Sequence, residues 1–277
     1  SDVVVINTCG FIDSAKTEAI DFILQTAALK AEGLVGKILV TGCLSQRYQE
    51  EILREMPEVD GVLGTGSYTE VVPAIEALLE DNQVADFGSI DAPEEETGRI
   101  LTTPEHYAFI KIAEGCDNRC AYCVIPSLRG RFRSRTLDDV LYEARVLAAN
   151  GVKELILIAQ DTTRYGTDLG GPSKLPELIE EIAAIEGVEW LRTLYCYPER
   201  VDDRLLDTIA KLPNVCNYLD LPMQHIAQHV LDDMNRTDTS EHIREVCEKF
   251  KARGMMLRTT MMVGFPGETD EDFAELM

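Results

Sequence analysis

The sequence predicts an α/β protein in two parts, an open α/β domain over residues 1–91 and an incomplete parallel barrel over 101–277. Three observations lead there. Short continuous runs of aliphatic and β-branched residues recur, the pattern of strands buried on both faces of a parallel sheet. Between them, apolar residues fall at helical spacing. One acidic tract, Asp91-Ala-Pro-Glu-Glu-Glu-Thr-Gly98, carries Pro and Gly without periodicity and separates the two successions as a linker at 92–100.

Taken in order, Val3-Val-Val-Ile6 reads as the first strand. A helix is expected over Asp13–Ala31, with Ala19, Ile20, Ile23, Leu24 and Ala27 on one face and Gly33 as its stop. Lys37–Thr41 is the next strand and Tyr68–Leu79 a further helix. Beyond the linker, Tyr107–Ala113 reads as a strand. Thr136 and Asp139 have the spacing of a helix cap ahead of a stripe of Leu137, Val140, Leu141, Ala144, Leu147 and Ala148, closed by Asn150-Gly151. Strands are expected at Glu154–Ile158, Trp190–Cys196, Asn217–Leu221 and Met256–Val263. Helices are expected at Leu175–Glu186, Asp203–Leu212 and in the stretch up to Arg253. Parallel strands joined by helices bring their carboxyl ends to one edge, where ligands gather. The groups falling there are the loop 114–123, Gln160-Asp161, Tyr195, Gln224-His225 and Gly264-Phe-Pro-Gly267.

Net charge is −23, from 26 basic and 49 acidic residues. Such a field repels phosphate backbones and attracts basic partners. An exception is the stretch 116–135, where Arg119, Arg129, Arg131, Arg133 and Arg135 face Asp117 alone. These arginines suit neutralisation of a cluster, a cofactor carboxylate or substrate charge. No apolar run approaches the ~18 residues of a membrane span and no signal peptide is visible. Eight cysteines are too sparse for a disulfide scaffold, and their place at element ends suits metal ligation in a reducing, cytoplasmic setting. The absence of an initial methionine and the stop within a helix start read as a piece of a longer protein. With only four histidines, a His-based metal site is not expected. His225 either acts on substrate or satisfies a loop, and Cys196, Cys216 and Cys247 read as buried structural residues.

The least accidental feature is Glu114-Gly-Cys-Asp-Asn-Arg-Cys-Ala-Tyr-Cys123, which sets Cys116, Cys120 and Cys123 in a CxxxCxxC array. Three thiolates can ligate three irons of a cubane cluster and leave the fourth open, and an open position marks a reactive metal site. A zinc knuckle lacking its fourth ligand is the competing reading; no Cys or His follows Cys123 at short spacing. CxxxCxxC after an apolar strand resembles the signature of radical S-adenosylmethionine (SAM) enzymes. That resemblance implies a 4Fe-4S cluster on Cys116, Cys120 and Cys123, SAM on its open iron, and a partial (β/α)6 TIM-like barrel. Gln160, Asp161 and Gly264 would then line the SAM pocket.

Asn7-Thr-Cys-Gly-Phe-Ile-Asp-Ser-Ala-Lys16 and Thr41-Gly-Cys-Leu-Ser-Gln-Arg-Tyr48 resemble the second and third cysteine motifs of the methylthiotransferase N-terminal domain. The resemblance implies a flavodoxin-like or Rossmann-like fold for 1–91. It also implies an auxiliary 4Fe-4S cluster using Cys9 and Cys43, its third ligand lying ahead of Ser1. Asn7 to Lys16, together with Gln160-Asp-Thr-Thr-Arg-Tyr-Gly166, Leu221-Pro-Met-Gln-His225 and Ile125-Pro-Ser-Leu-Arg-Gly130, resembles the branch whose substrate is an aspartate of small-subunit ribosomal protein twelve. For that branch the resemblance implies methylthio transfer with two SAM molecules and two clusters, fed by a flavodoxin- or ferredoxin-type reductant. A basic ribosomal protein suits the acidic chain; tRNA, the substrate of the sister branch, does not. A non-catalytic metal-binding module is the alternative from another class.

Overall fold

The computed structural model describes residues 1–92 and 99–277. The expected linker at 92–100 falls mostly outside them. The chain forms two compact units, Ser1–Glu96 with Val124–Arg131, and Thr97–Cys123 with Phe132–Met277.

The first unit is built on a four-stranded sheet of β1 (Val3–Thr8), β2 (Lys37–Gly42), β3 (Gly61–Leu63) and β4 (Val84–Asp86). The strands lie in sequence order and all pair in parallel. β2 is central and buried along nearly its whole length, which is why Ile38, Leu39 and Val40 run without polar alternation. The helix Asp13–Ala31 covers one face through Ala19, Ile23 and Thr26. Here the structure departs from the expected stripe, since Ile20 and Leu24 are 39% and 49% exposed. Two short helices, Cys43–Tyr48 and Glu50–Glu55, follow β2, and Tyr68–Leu79 begins as a 3-10 turn before its α-helical part at Val71–Leu79.

In the second unit β5 (Tyr107–Lys111) is followed directly by β6 (Ala113–Glu114), which pairs antiparallel with β7 (Arg133–Ser134). The single run expected over 107–113 is therefore broken near Ile112, where the chain passes from the main sheet to this ribbon. β8 (Glu154–Ile158) and β9 (Trp190–Thr193) pair in parallel with β5 in the order 5-8-9. β10 (Tyr218–Asp220) pairs in parallel with β11 (Met256–Arg258), and a parallel bridge from Leu191 to Val215 carries the succession from β9 towards β10. β9 and β11 end earlier than expected, at Thr193 and Arg258. One continuous core lies between these strands and four amphipathic helices. Leu137–Ala149, Leu175–Ala183, Asp203–Lys211 and Ser240–Ala252 contribute Ala144, Ile179, Leu206 and Val246 to it, all fully buried.

Candidate active site

The carboxyl ends of β5, β8, β9 and β10 share one edge of the second unit, and the loop Gly115–Cys123 lies at the first of them. Gly115 sits at φ +80°, a conformation that turns the chain out of β6. Glu114, 4% exposed, holds the start of the loop. Its carboxylate accepts from Gln160 Nε2 at 2.7 Å and from the Gly115 N–H at 3.2 Å, and pairs with Lys111 at 3.1 Å. Asn118 Nδ2 donates to Asp161 Oδ2 at 2.9 Å. Asp161 is itself buried, bonded to the Thr163 hydroxyl and 3.6 Å from Arg200 Nη1. Farther along, the Arg119 carbonyl accepts from Asn235 Nδ2 at 2.6 Å and the Ala121 N–H donates to Met234 at 2.9 Å. An irregular loop with so many anchors is preorganised rather than loose.

Within it Cys116 is buried, and Cys120 and Cys123 are half-buried. Burial pushes the Cys116 thiol up to about 11, with the nearby charges of Asp161, Cys123 and Cys120 adding to the shift. A site that disfavours lone thiolates in this way suits a cation, whose charge expels the protons on binding. Among the described residues no three His, Cys, Asp or Glu side chains converge as a single metal ion requires. A cubane takes each thiolate at a different corner, so its ligands need not converge on one point.

Behind Cys120 stands a buried cation. The Tyr197 hydroxyl is 4.0 Å from Cys120 Sγ, and the Arg236 guanidinium lies 4.2 Å from the centre of the Tyr197 ring. Arg236 also donates to Tyr122 OH at 3.4 Å, to the Pro222 carbonyl at 3.2 Å and to Asp238 at 2.8 Å. Burial pushes the Tyr122 hydroxyl up to about 12 and the Tyr197 hydroxyl higher still, so both stay protonated as donors. Tyr122 packs edge-on against Phe265 at 6.5 Å. Glu114, Asn118, Tyr197 and Arg236 were not singled out from the sequence. Only Glu114 carried a local signal, its place beside the cysteine array.

Of the residues expected to line a cofactor pocket, Gln160 is tied to Glu114, with its other amide atom, Oε1, buried and unpartnered. Asp161 is committed to Asn118, Thr163 and Arg200. Gly264, at φ +75° in a loop after β11, donates its N–H to Glu268. His225 is fully buried, its Nδ1 accepting from the Ala227 N–H at 3.0 Å and its Nε2 3.4 Å from Glu268. Tyr195 and Gln224, at φ +59° and +69°, are non-glycine residues held in the left-handed region at strand ends.

In the first unit, Cys9 and Cys43 directly follow paired ends of β1 and β2, where Thr8 registers with Gly42. Cys9 is exposed and Cys43 buried. Gly42, at φ +100°, has Thr8 O only 2.4 Å from where a Cβ would stand. The segment Val124–Arg131 packs here. Leu128 O accepts from Thr65 Oγ1 at 2.6 Å, and Arg129 Nη2 lies 3.3 Å from Cys43 Sγ. Two thiols and a guanidinium do not complete a cluster site by themselves.

The profile of the Radical SAM superfamily matches residues 110–277, and that of Uncharacterized protein family UPF0004 matches 1–64. Relatives named "Ribosomal protein uS12 methylthiotransferase RimO" match the chain end to end. The one from Clostridioides difficile is 46% identical over 100% of this chain and 63% of its own length. The one from Desulfitobacterium hafniense is 49% identical over 99% of this chain and 62% of its own. The chain thus spans about 63% of the length of the curated relatives it matches. Among solved structures, the radical S-adenosylmethionine methyltransferase TsrM from Kitasatospora setae superposes with a TM-score of 0.70 at 16% identity, over 92% of this chain and 55% of that one. The cobalamin-dependent S-adenosylmethionine radical enzyme OxsB gives 0.67 at 14%, over 99% of this chain and 43% of that one. These likenesses show the fold.

Proposed function

The chain belongs to the Radical SAM superfamily, and from that premise we propose that it is the larger part of a methylthiotransferase acting on an aspartate β-carbon of ribosomal protein uS12. Membership brings SAM and a 4Fe-4S cluster as cofactors. The observation that carries the finer reading is the end-to-end match to relatives bearing that activity in their names, 46–49% identical. The acidity of the chain supports it, since a net charge of −23 favours a basic ribosomal protein over tRNA.

Cys116, Cys120 and Cys123 would hold the cluster. When bound, the cluster and SAM together supply one-electron chemistry able to break an unactivated C–H bond. The target demands it, because an aspartate β-methylene has no proton that a general base removes near neutral pH. The protein's own part is positioning and shielding. Gln160, through Glu114, and Asp161, through Asn118, fix the first half of the cysteine loop. Tyr197 presents its hydroxyl towards Cys120, and Arg236 sets a positive charge behind it. Gln160 and Gly264 are proposed to line the SAM pocket, with Asp161 acting as a positioning residue. Cys9 and Cys43 are proposed as two of the three ligands of an auxiliary cluster in the full-length protein. A flavodoxin- or ferredoxin-type protein supplies the electron, and a ribosomal substrate places the enzyme in the cytoplasm.

The test uses full-length protein reconstituted with iron and sulfide, SAM, a reductant and purified uS12. A methylthio mass increment on one aspartate is expected, and its absence from the Cys120→Ala enzyme. Modification of tRNA instead of uS12 would move the assignment to the sister branch. Retained SAM cleavage by Cys120→Ala would overturn the assignment of the cluster.

A further inference from the structure

We propose that the groove between helix Asp13–Ala31 and the helix pair Cys43–Tyr48 and Glu50–Glu55 docks a basic polypeptide segment through a large apolar side chain. This deepens the reading above and rests on its premise that the substrate is a protein. The cavity holds about 490 Å³; Ile20, Leu44 and Met56 are among its apolar residues, and Asp13, Glu51, Glu55 and the single base Lys16 are its charged ones. Lys16 pairs with Asp13, while Glu51 and Glu55 share Arg54 at 3.7 and 2.9 Å, so the lining keeps an excess of negative charge. The first helix exposes more than its burial requires. Ile20, Phe22 and Leu24 are 39%, 52% and 49% exposed, although Ala19, Ile23 and Thr26 suffice to seat it on the sheet. Apolar ground of this kind with a polar rim marks an interaction surface.

Charge identifies the class of partner. Residues 1–92 hold sixteen acidic and five basic side chains. Four of those bases are already paired within the unit, Lys16 with Asp13 at 2.5 Å, Lys30 with Asp60 at 2.5 Å, Lys37 with Asp81 at 2.7 Å and Arg54 with Glu55 at 2.9 Å. The remaining field is negative. It attracts lysine- and arginine-rich chains and repels nucleic acid. An apolar lining within such a field selects a basic segment with an apolar anchor.

Location supports the same occupant. The first helix begins four residues after Cys9, and the second begins at Cys43. Two residues of the lining, Asp13 and Leu44, therefore stand four and one positions along the chain from those thiols.

The test measures binding of purified uS12 to the full-length, cluster-loaded protein by fluorescence anisotropy. Ile20→Asp places a charge on a partly exposed apolar position, and Glu51→Lys reverses a carboxylate of the lining. Each is expected to weaken binding at least tenfold, with thermal midpoints near that of the wild type. Glu80→Lys carries the same change of charge away from the groove and is expected to stay within twofold. Equal binding by Ile20→Asp and the wild type, in protein that still modifies uS12, would overturn the groove and leave the functional reading standing. Equal losses from Glu51→Lys and Glu80→Lys would overturn it too, because the general field alone would then act. A change in oligomeric state with Ile20→Asp in place of lost affinity would show a second copy as the occupant. If the wild type neither binds nor modifies uS12, the functional reading falls with it.

Discussion

Arg236 shows how one side chain organises a reactive loop. It is 6% exposed, yet its guanidinium finds a carboxylate, a carbonyl, a phenol and a ring face. Removing it strands Asp238, which is 2% exposed. Arg236→Met is expected to destabilise the protein by about 3 kcal/mol in denaturant unfolding, with much of the loss recovered when Asp238 is also made Asn. A second residue gives a pH dependence. Burial pushes Cys196 up to about 12 from 9.0, so the folded state holds this proton more tightly than the unfolded chain. Its contribution is fully present below pH 9 and is lost as pH rises towards 12. Stability is therefore expected to fall between pH 9 and 11, and less steeply in Cys196→Ala. The cysteine trio was legible in the sequence because its members are local neighbours. Tyr197 and Arg236 were not, since Tyr197 meets Cys120 across 77 positions and Arg236 meets Tyr122 across 114. Only the fold brings them together.

Among elements, helix starts follow sequence closely. Thr136 accepts from the Asp139 N–H, and Thr269 with Asp272 forms a reciprocal capping box. Thr136→Ala is expected to cost about 1 kcal/mol in thermal or denaturant unfolding. Gly42 is a sharper case, since any side chain there meets the Thr8 backbone and must also adopt φ +100°. Gly42→Ala is expected to cost roughly 2 kcal/mol or more, and to disturb the turn that presents Cys43. The longer strands were readable as unbroken apolar runs, as in Glu154–Ile158, and the amphipathic helices by their period. β3 and β4 have 3 residues each and carry no longer apolar run around them, Gly61-Val-Leu63 lying between Asp60 and Gly64 and Val84-Ala-Asp86 ending in a charge. The stripe read along the first helix failed for another reason. Its apolar residues run round the cylinder, and periodicity alone could not tell which of them face the sheet.

For the whole molecule, charge and connectivity matter more than any single contact. A chain at −23 is expected to capture a basic protein at rates that fall at least tenfold between low and high salt, measurable by stopped-flow fluorescence. Connectivity has a less obvious consequence. Eight residues, Val124–Arg131, leave the second unit immediately after Cys123 and return at Phe132, having capped Thr65 and reached Cys43 in the first. Scissors applied at the acidic tract would therefore not release an intact amino-terminal module. The excised piece would lack a patch of its own exterior, sewn on from downstream, and is expected to melt at lower temperature than the same piece with 124–131 grafted back. Gene fusions that swap the two halves between homologues would inherit that mismatch unless the patch travels with its owner.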